Sequence, residues 1–248
     1  LFSTASNTID VVPSVLQILS LGTSINTLSP DDAFNVRTGY LHTNGVSFLE
    51  LAPSATSGAI TVTLSSDNTA VGRLVTGAAT GSPVTVQVPV NSARSPTSVA
   101  AGGVALEPLA QGTVNVSATA TGFDGIFSGS SVTVNVTQPA LTVSDDFFGD
   151  NRIGVNLQKQ YRVTLGGSDH GGVTVNIQSD NAALLLSPDA NTAGSSSIDV
   201  FIADGQTASQ TFYIHGVSEA TGVTLTATQA LFSTASNTID VVPSVLQI

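Results

Sequence analysis

The chain has no cysteine, no methionine and no tryptophan, and its 248 residues include one lysine and five arginines. Without cysteine there can be no disulfide staples, thiolate metal ligands or thiol nucleophiles. So few cations, with a formal net charge of -11, argue against nucleic acid as a partner, which needs clustered Lys and Arg to displace counterions from phosphate. An anionic membrane surface is disfavoured for the same reason. Charged residues make up 9% of the chain, against roughly 25% in average soluble proteins, so the exposed surface must be mostly Ser, Thr, Asn, Gln and Gly. No window holds the roughly 18 uninterrupted apolar residues of a membrane span, and residues 1–18 lack the basic start and apolar core of a signal peptide. With no initiator Met either, the chain reads as a mature or internal piece of something longer.

What is present is repetition. The sequence LFSTASNTIDVVPSVLQI occupies residues 1–18 and again, unchanged, residues 231–248. The offset of 230 residues points to a tandem array with that period. A weaker repeat lies inside the period: Val62-Thr-Leu-Ser-Ser-Asp-Asn68 resembles Val175-Asn-Ile-Gln-Ser-Asp-Asn181, and Val114-Asn-Val-Ser-Ala-Thr119 resembles Val223-Thr-Leu-Thr-Ala-Thr228. The acidic stretches around Asp31 and Asp32 and around Asp145 and Asp146 match in the same order. Two diverged copies of one domain are therefore expected, at residues 14–137 and 138–243. Residues 1–13 would belong to the preceding repeat and 244–248 to the start of the next.

Apolar and polar residues alternate with period 2 at Ile60, Val62, Leu64; Val84, Val86, Val88; Val114, Val116, Ala118; and Val132, Val134, Val136. The second copy does the same at Val173, Val175, Ile177; Ile198, Val200, Ile202; Phe212, Ile214; and Val223, Leu225, Ala227. Each run predicts a strand with one buried face, and no window has a capped helical period. About seven short strands in each copy predict an all-β fold of two tandem antiparallel sandwiches, with a barrel as the alternative. With these Ser-Asp-Asn turns and Val-x-Leu/Val-x-Ala-Thr strands, the chain resembles the bacterial immunoglobulin-like domains found in tandem on large surface and filament proteins. The resemblance implies immunoglobulin-like sandwiches on the outside of a bacterial cell and says little of any ligand.

The last strand or two of the second sandwich should come from residues 231–243, leaving their twin, residues 1–13, without a sheet of its own. The expected assembly residues are Leu1, Phe2, Ile9, Val11 and Val12 at one end and Leu231, Phe232, Ile239, Val241 and Val242 at the other. Their partners would be identical neighbouring repeats, in one continuous polypeptide or by donation of a strand between chains. The duplication favours the continuous chain, since a window cut from a repeat produces it automatically.

Candidate chemistry is sparse. Asp31, Asp32, Asp145, Asp146 and Asp150 could supply oxygen ligands to Ca²⁺, or they could simply end strands and solvate turns. Ser168, Asp169 and His170 name a hydrolase triad but are contiguous, and a triad converges from separate elements; a Gly-rich hairpin over residues 166–172 is the better account. His42 and His215 have no second histidine at ligand spacing. Lys159, the only lysine, limits any Lys-to-Asn cross-link of the kind known in some surface immunoglobulin-like domains to one per repeat, and Gln158 and Gln160 beside it read as a solvated strand. Asn115 and Asn135 lie in glycosylation sequons with their side chains turned outward. Carbohydrate remains a candidate ligand, although Tyr40, Tyr161 and Tyr213 are scattered. The leading expectation is a non-enzymatic structural repeat of an extracellular bacterial filament, sheath or fibre. A surface adhesin stalk with a carbohydrate- or cell-binding role is the alternative.

Overall fold

The computed structural model describes residues 9–43, 45–124, 127–146 and 149–246. The chain divides into two compact units, Leu1–Thr137 and Gln138–Ile248. Each is built of strands; the only helical turns among the described residues are two short 3-10 segments, Val99–Ala101 and Ser128–Ser130.

Among its described residues the first unit has twelve strands: β1 (Ser14–Leu19), β2 (Ser24–Asn26), β3 (Asp32–Leu41), β4 (Phe48–Glu50), β5 (Ile60–Ser66), β6 (Gly72–Thr76), β7 (Thr80–Gly81), β8 (Val84–Val88), β9 (Val104–Pro108), β10 (Gly112–Thr119), β11 (Phe123–Asp124) and β12 (Ser131–Thr137). One sheet has the order β11-β1-β3-β9-β6-β7 with β4 added on β3, and the other β2-β12-β10-β5-β8. Leu16, Phe34, Val36, Leu74 and Leu106 of the first sheet and Val62, Leu64, Val86, Val114 and Val134 of the second are buried in one shared core.

Among its described residues the second unit has nine strands: β13 (Leu141–Asp145), β14 (Arg152–Gly154), β15 (Gln158–Leu165), β16 (Val173–Ser179), β17 (Leu184–Ser187), β18 (Ser197–Ile202), β19 (Phe212–Gly216), β20 (Ala220–Thr228) and β21 (Ala235–Val242). Its sheets run β13-β15-β19-β17 and β14-β21-β20-β16-β18. This is the strand order of the first unit with β4, β7 and β11 removed. The A-B-E-D and G-F-C sets of an immunoglobulin-like sandwich map onto both units. The strand beside C differs in its place along the chain, coming after D. Both units exceed the seven strands expected from alternation.

The Ser-Asp-Asn turns have a simple physical basis. In the first, Asp67 Oδ1 accepts the Asn115 N–H at 2.8 Å while Asp67 N–H donates to the Asn115 carbonyl at 3.1 Å. In the second, Asp180 Oδ1 accepts from Thr224 N–H at 2.9 Å and Asp180 N–H donates to the Thr224 carbonyl at 3.1 Å. The aspartate thus extends the ladder by one rung where the strand turns away, a job an apolar side chain cannot do.

Two expectations from the sequence do not hold. Residues 166–172 do not form a hairpin, because β15 and β16 on either side lie in different sheets. The segment crosses between sheets, held by Asp204 Oδ1, which accepts from the N–H groups of His170 at 3.2 Å and Gly171 at 2.8 Å. The two acidic pairs are also not equivalent: Asp32 opens β3, whereas Asp145 closes β13, the counterpart of β1.

Candidate functional site

The duplicated segment is used once in each unit, and a different half is used each time. In the C-terminal copy, β21 lies between β20 and β14, with Ile239 opposite Val223 and Val241 opposite Ile153. Ile239 and Val241 are 0% and 2% exposed. Phe232 is buried too, against the ring of His170 at 6.0 Å, while Leu231 is partly exposed and Val242 half-buried. In the N-terminal copy the same side chains, Ile9 and Val11, are 82% and 98% exposed, Val12 is exposed, and residues 9–13 belong to no strand. Leu1 and Phe2 lie outside the described residues.

Beyond the shared proline the roles reverse. Ser14 opens β1, which pairs antiparallel with β3 and parallel with β11, placing Ser14 opposite Tyr40 and Phe123. Val15 and Leu16 are 4% and 1% exposed, whereas their twins Val245 and Leu246 are 90% and 98% exposed. Fully burying each such side chain stabilises a fold by roughly 1.5–3 kcal/mol, so either half of the segment is a strand only where a sandwich receives it. The division falls at Pro13 and Pro243. A proline cannot donate to a ladder and is confined to strand ends, edges and bulges.

Each copy also lines a cavity. In the first unit Ile9, Val12 and Ser14 border a space of about 730 Å³ with Tyr40, Leu51 and Phe123 among its other walls. In the second, Val242, Pro243 and Ser244 border one of about 560 Å³ with Asp150, Arg152, Gly154 and Leu157. Gly154 is fixed by closeness here: a Cβ at this position would stand 2.6 Å from Ser244 Oγ and 2.7 Å from Leu157 Cδ1.

Asp32, Asp145 and Asp146 engage protein groups through their side chains. Asp32 Oδ2 accepts the Gly22 N–H at 2.7 Å. Asp31 is exposed, and its charge helps raise the pKa of Arg73, whose main cause is the hydrogen bond to Glu107. Asp145 is buried, with Oδ2 2.6 Å from Lys159 Nζ and Oδ1 accepting from Gly149 N–H at 2.8 Å. Asp146 pairs with Arg162 at 3.2 Å and accepts from Thr211 Oγ1 at 3.1 Å. Asp150 offers its backbone carbonyl to Lys159. Among the described residues no three acidic or histidine side chains come together in a way that could hold a metal ion. Lys159 is not the solvated strand residue read from its neighbours: its side chain is four-fifths covered and its partner is an aspartate.

Several arrangements had no signal in the sequence. Tyr161 is fully buried, its hydroxyl without a hydrogen-bond partner among the described residues; burial, reinforced by the charges of Asp145 and Asp150, pushes its phenol well above the ordinary range. Tyr213 is half-buried and accepts from Gln160 Nε2 at 2.9 Å. Ser187 Oγ lies 2.7 Å from His215 Nε2, but this serine is fully buried and donates to the Asp189 carbonyl at 2.7 Å, so no substrate can reach it. His170 Nε2 contacts the Gln206 carbonyl at 2.9 Å, and the Ser168 carbonyl accepts from Gly205 N–H at 2.9 Å. These bonds fasten the crossing segment. Asn135 is exposed; Asn115 Oδ1 accepts from Ser131 Oγ at 2.7 Å.

Neither a protein-family model nor a curated protein matches the chain. Solved structures similar to it include a β-glucuronidase of glycoside hydrolase family 2, at 15% identity and TM-score 0.31 over 77% of this chain and 19% of that one. The Yersinia pseudotuberculosis adhesin InvE matches at 16% identity and TM-score 0.30, covering 92% of this chain and 58% of the adhesin. The Escherichia coli adhesin FdeC matches at 11% identity and TM-score 0.32, covering 93% and 64%. The chain thus spans less than two thirds of the length of each, and likenesses this remote do not say what it binds or does.

Proposed function

We propose that the chain is a structural repeat of a bacterial cell-surface filament, sheath or fibre, in which units of 230 residues succeed one another in a continuous polypeptide. The observation that carries this is the reciprocal burial of the duplicated segment. The first half of the segment completes the second sandwich and the second half starts the first sandwich. The side chains of Ile9, Val11, Val245 and Leu246, exposed here, are ones a neighbouring repeat would bury. The role is mechanical rather than catalytic: folded modules joined end to end convert a flexible chain into a long, stiff one, each contacting chiefly its neighbours.

Digestion of the native material after glutamate tests the reading. The sequence has glutamate only at Glu50, Glu107 and Glu219. A continuous array releases a peptide that starts at Ala220, runs through the repeated segment once, and ends at Glu50 of the next repeat. Native chains that each yield a free amino group on Leu1 and a fragment stopping at Ile248 would overturn it.

A further inference from the structure

The spacing of strands around the shared proline says more than that repeats are joined; this inference rests on the tandem reading above. In the second unit β21 ends at Val242. In the first unit β1 begins at Ser14, and Ser14 is the counterpart of Ser244. One residue, Pro243, therefore separates the last strand of one repeat from the first strand of the next. Consecutive Cα atoms are about 3.8 Å apart, so Val242 and Ser244 cannot stand more than roughly 7.6 Å from each other. Proline also fixes its own φ. A domain of this size has a radius of gyration of roughly 13 Å, and so short a tether holds the adjoining ends of two sandwiches close to each other.

Register fixes what meets there. On one side of Pro243, Gly154 lies opposite Val242, and Leu157, more than half exposed, stands beside it in the wall of the 560 Å³ cavity. On the other side, the counterpart of Ser244 lies opposite Tyr40 and Phe123, and the exposed Leu51 shares the wall of the 730 Å³ cavity with them. We propose that these two concave, partly apolar ends form one intermodule joint, in which the loop around Leu157 of one copy docks into the Tyr40, Leu51 and Phe123 cavity of the next. The occupant of the first unit's cavity is thus a second copy of this chain. In such a chain Ile9 and Val11 are withdrawn into the preceding sandwich, as Ile239 and Val241 are here, and the cavity that Ile9 and Val12 now border opens to that neighbour.

The test is a chain of two repeats, made by joining residues 19–248 after Ile248 so that the internal seam keeps its own sequence. Leu157→Asp is placed either in the first repeat, where it faces the seam, or in the second, where no unit comes after it. Both variants carry the same intrinsic folding cost, so only the seam distinguishes them. Hydrogen exchange at residues 49–60 of the second repeat should rise at least about tenfold with the first variant and stay unchanged with the second. Inserting four Gly and Ser residues after Pro243 should produce the same rise, with a broader intermodule distance distribution in X-ray scattering. If the two variants behave alike, or the insertion changes neither readout, the joint does not exist. A seam peptide recovered from native material alongside such a result would leave the tandem array standing and remove only the docked joint. Absence of that peptide, with the joint intact in the two-repeat chain, would do the reverse.

Discussion

Twin positions in the duplicated segment allow one substitution to be made twice in the same local sequence with opposite expected consequences. Ile239 is wholly buried in β21, facing Val223 across the pair with β20, whereas Ile9 lies in solvent. Truncating a buried isoleucine to alanine costs about 2–5 kcal/mol, through lost transfer energy and the cavity left behind. A surface truncation stays within roughly 0.5 kcal/mol of neutral. At about 1–3 kcal/mol per molar urea for a domain of this size, Ile239→Ala should lower the unfolding midpoint of the second unit by roughly 1–2 M, while Ile9→Ala leaves it in place. Past the proline the order inverts: Leu16→Ala should cost as much in the first unit, and Leu246→Ala almost nothing. Tyrosine fluorescence separates the units, since Tyr40 reports on the first and Tyr161 and Tyr213 on the second. If Ile9→Ala in the 248-residue chain shifts a midpoint as far as Ile239→Ala does, the division of labour between the two copies is wrong. In a two-repeat chain the distinction disappears at the seam, where one isoleucine is both residues at once.

Two electrostatic arrangements give further tests. Lys159→Met would leave the buried Asp145 carboxylate without its cation and should destabilise the second unit by about 3 kcal/mol, the low end for a broken buried pair because Lys159 keeps some water. Adding Asp145→Leu should recover most of that loss in thermal melts; a double variant no better than the single would show that the charge pairing is not what matters. In the first unit Glu50 bridges Arg94 at 2.7 Å and Arg37 at 3.2 Å, and hydrogen bonding from Arg94, then Arg37, holds its carboxyl at about 2, down from 4.5. A carboxylate lowered by folding contributes stability above its unfolded value that disappears as pH falls through its folded one. The difference in Tm between the wild type and Glu50→Gln should therefore be full above pH 5 and shrink progressively as pH falls from about 4.5 towards 2. A difference that stays constant over that window would refute the pairing.

Half of each sandwich was legible in the sequence, and which half has a physical cause. Alternation located β5, β8, β10 and β12, which make up nearly all of one sheet, β16, β18 and β20 of the corresponding sheet in the second unit, and, through Phe212 and Ile214, β19 of the other sheet there. These strands have one face on the core and one in water, so their burial alternates strictly, as in β8 and β16. In the opposite sheet of the first unit, β3 and β9 carry no such signal because they are covered on both sides over much of their length. Along β3, Asn35 and Thr38 are buried as well as Phe34 and Val36, since Val36 N–H donates to Ser95 Oγ and Thr38 N–H to the Ala93 carbonyl, each at 2.9 Å. Arg37, also on β3, stacks its guanidinium over the Phe48 ring of β4 at 4.3 Å. In β9 only Glu107 keeps partial contact with water, and in β17 only Leu185 does, so neither strand has a wet face. A period-2 search cannot find such strands. The duplicated segment is conspicuous in the sequence, but its division at the proline is not. Residues 9–13 and 14–18 carry similar apolar content, and only the sheets that receive them tell them apart.

That division bears on how repeats connect. Strand donation between chains needs an acceptor groove left open, yet β1 already lies between β11 and β3, and β21 between β20 and β14, each supplied by the chain's own residues. A donor from another copy would carry the same sequence and make the same hydrogen bonds, so it gains nothing in contact energy over the resident strand. The resident is tethered, and a short tether gives an effective concentration in the millimolar range, so an identical free strand competes only when chains approach that concentration. Exchange under those terms is concentration-limited and reversible, which suits a domain swap and not a fibre. A continuous polypeptide would meet no such competition: on the proposed reading every copy of the segment would be shared between two sandwiches by covalent connection, and no strand would be surplus.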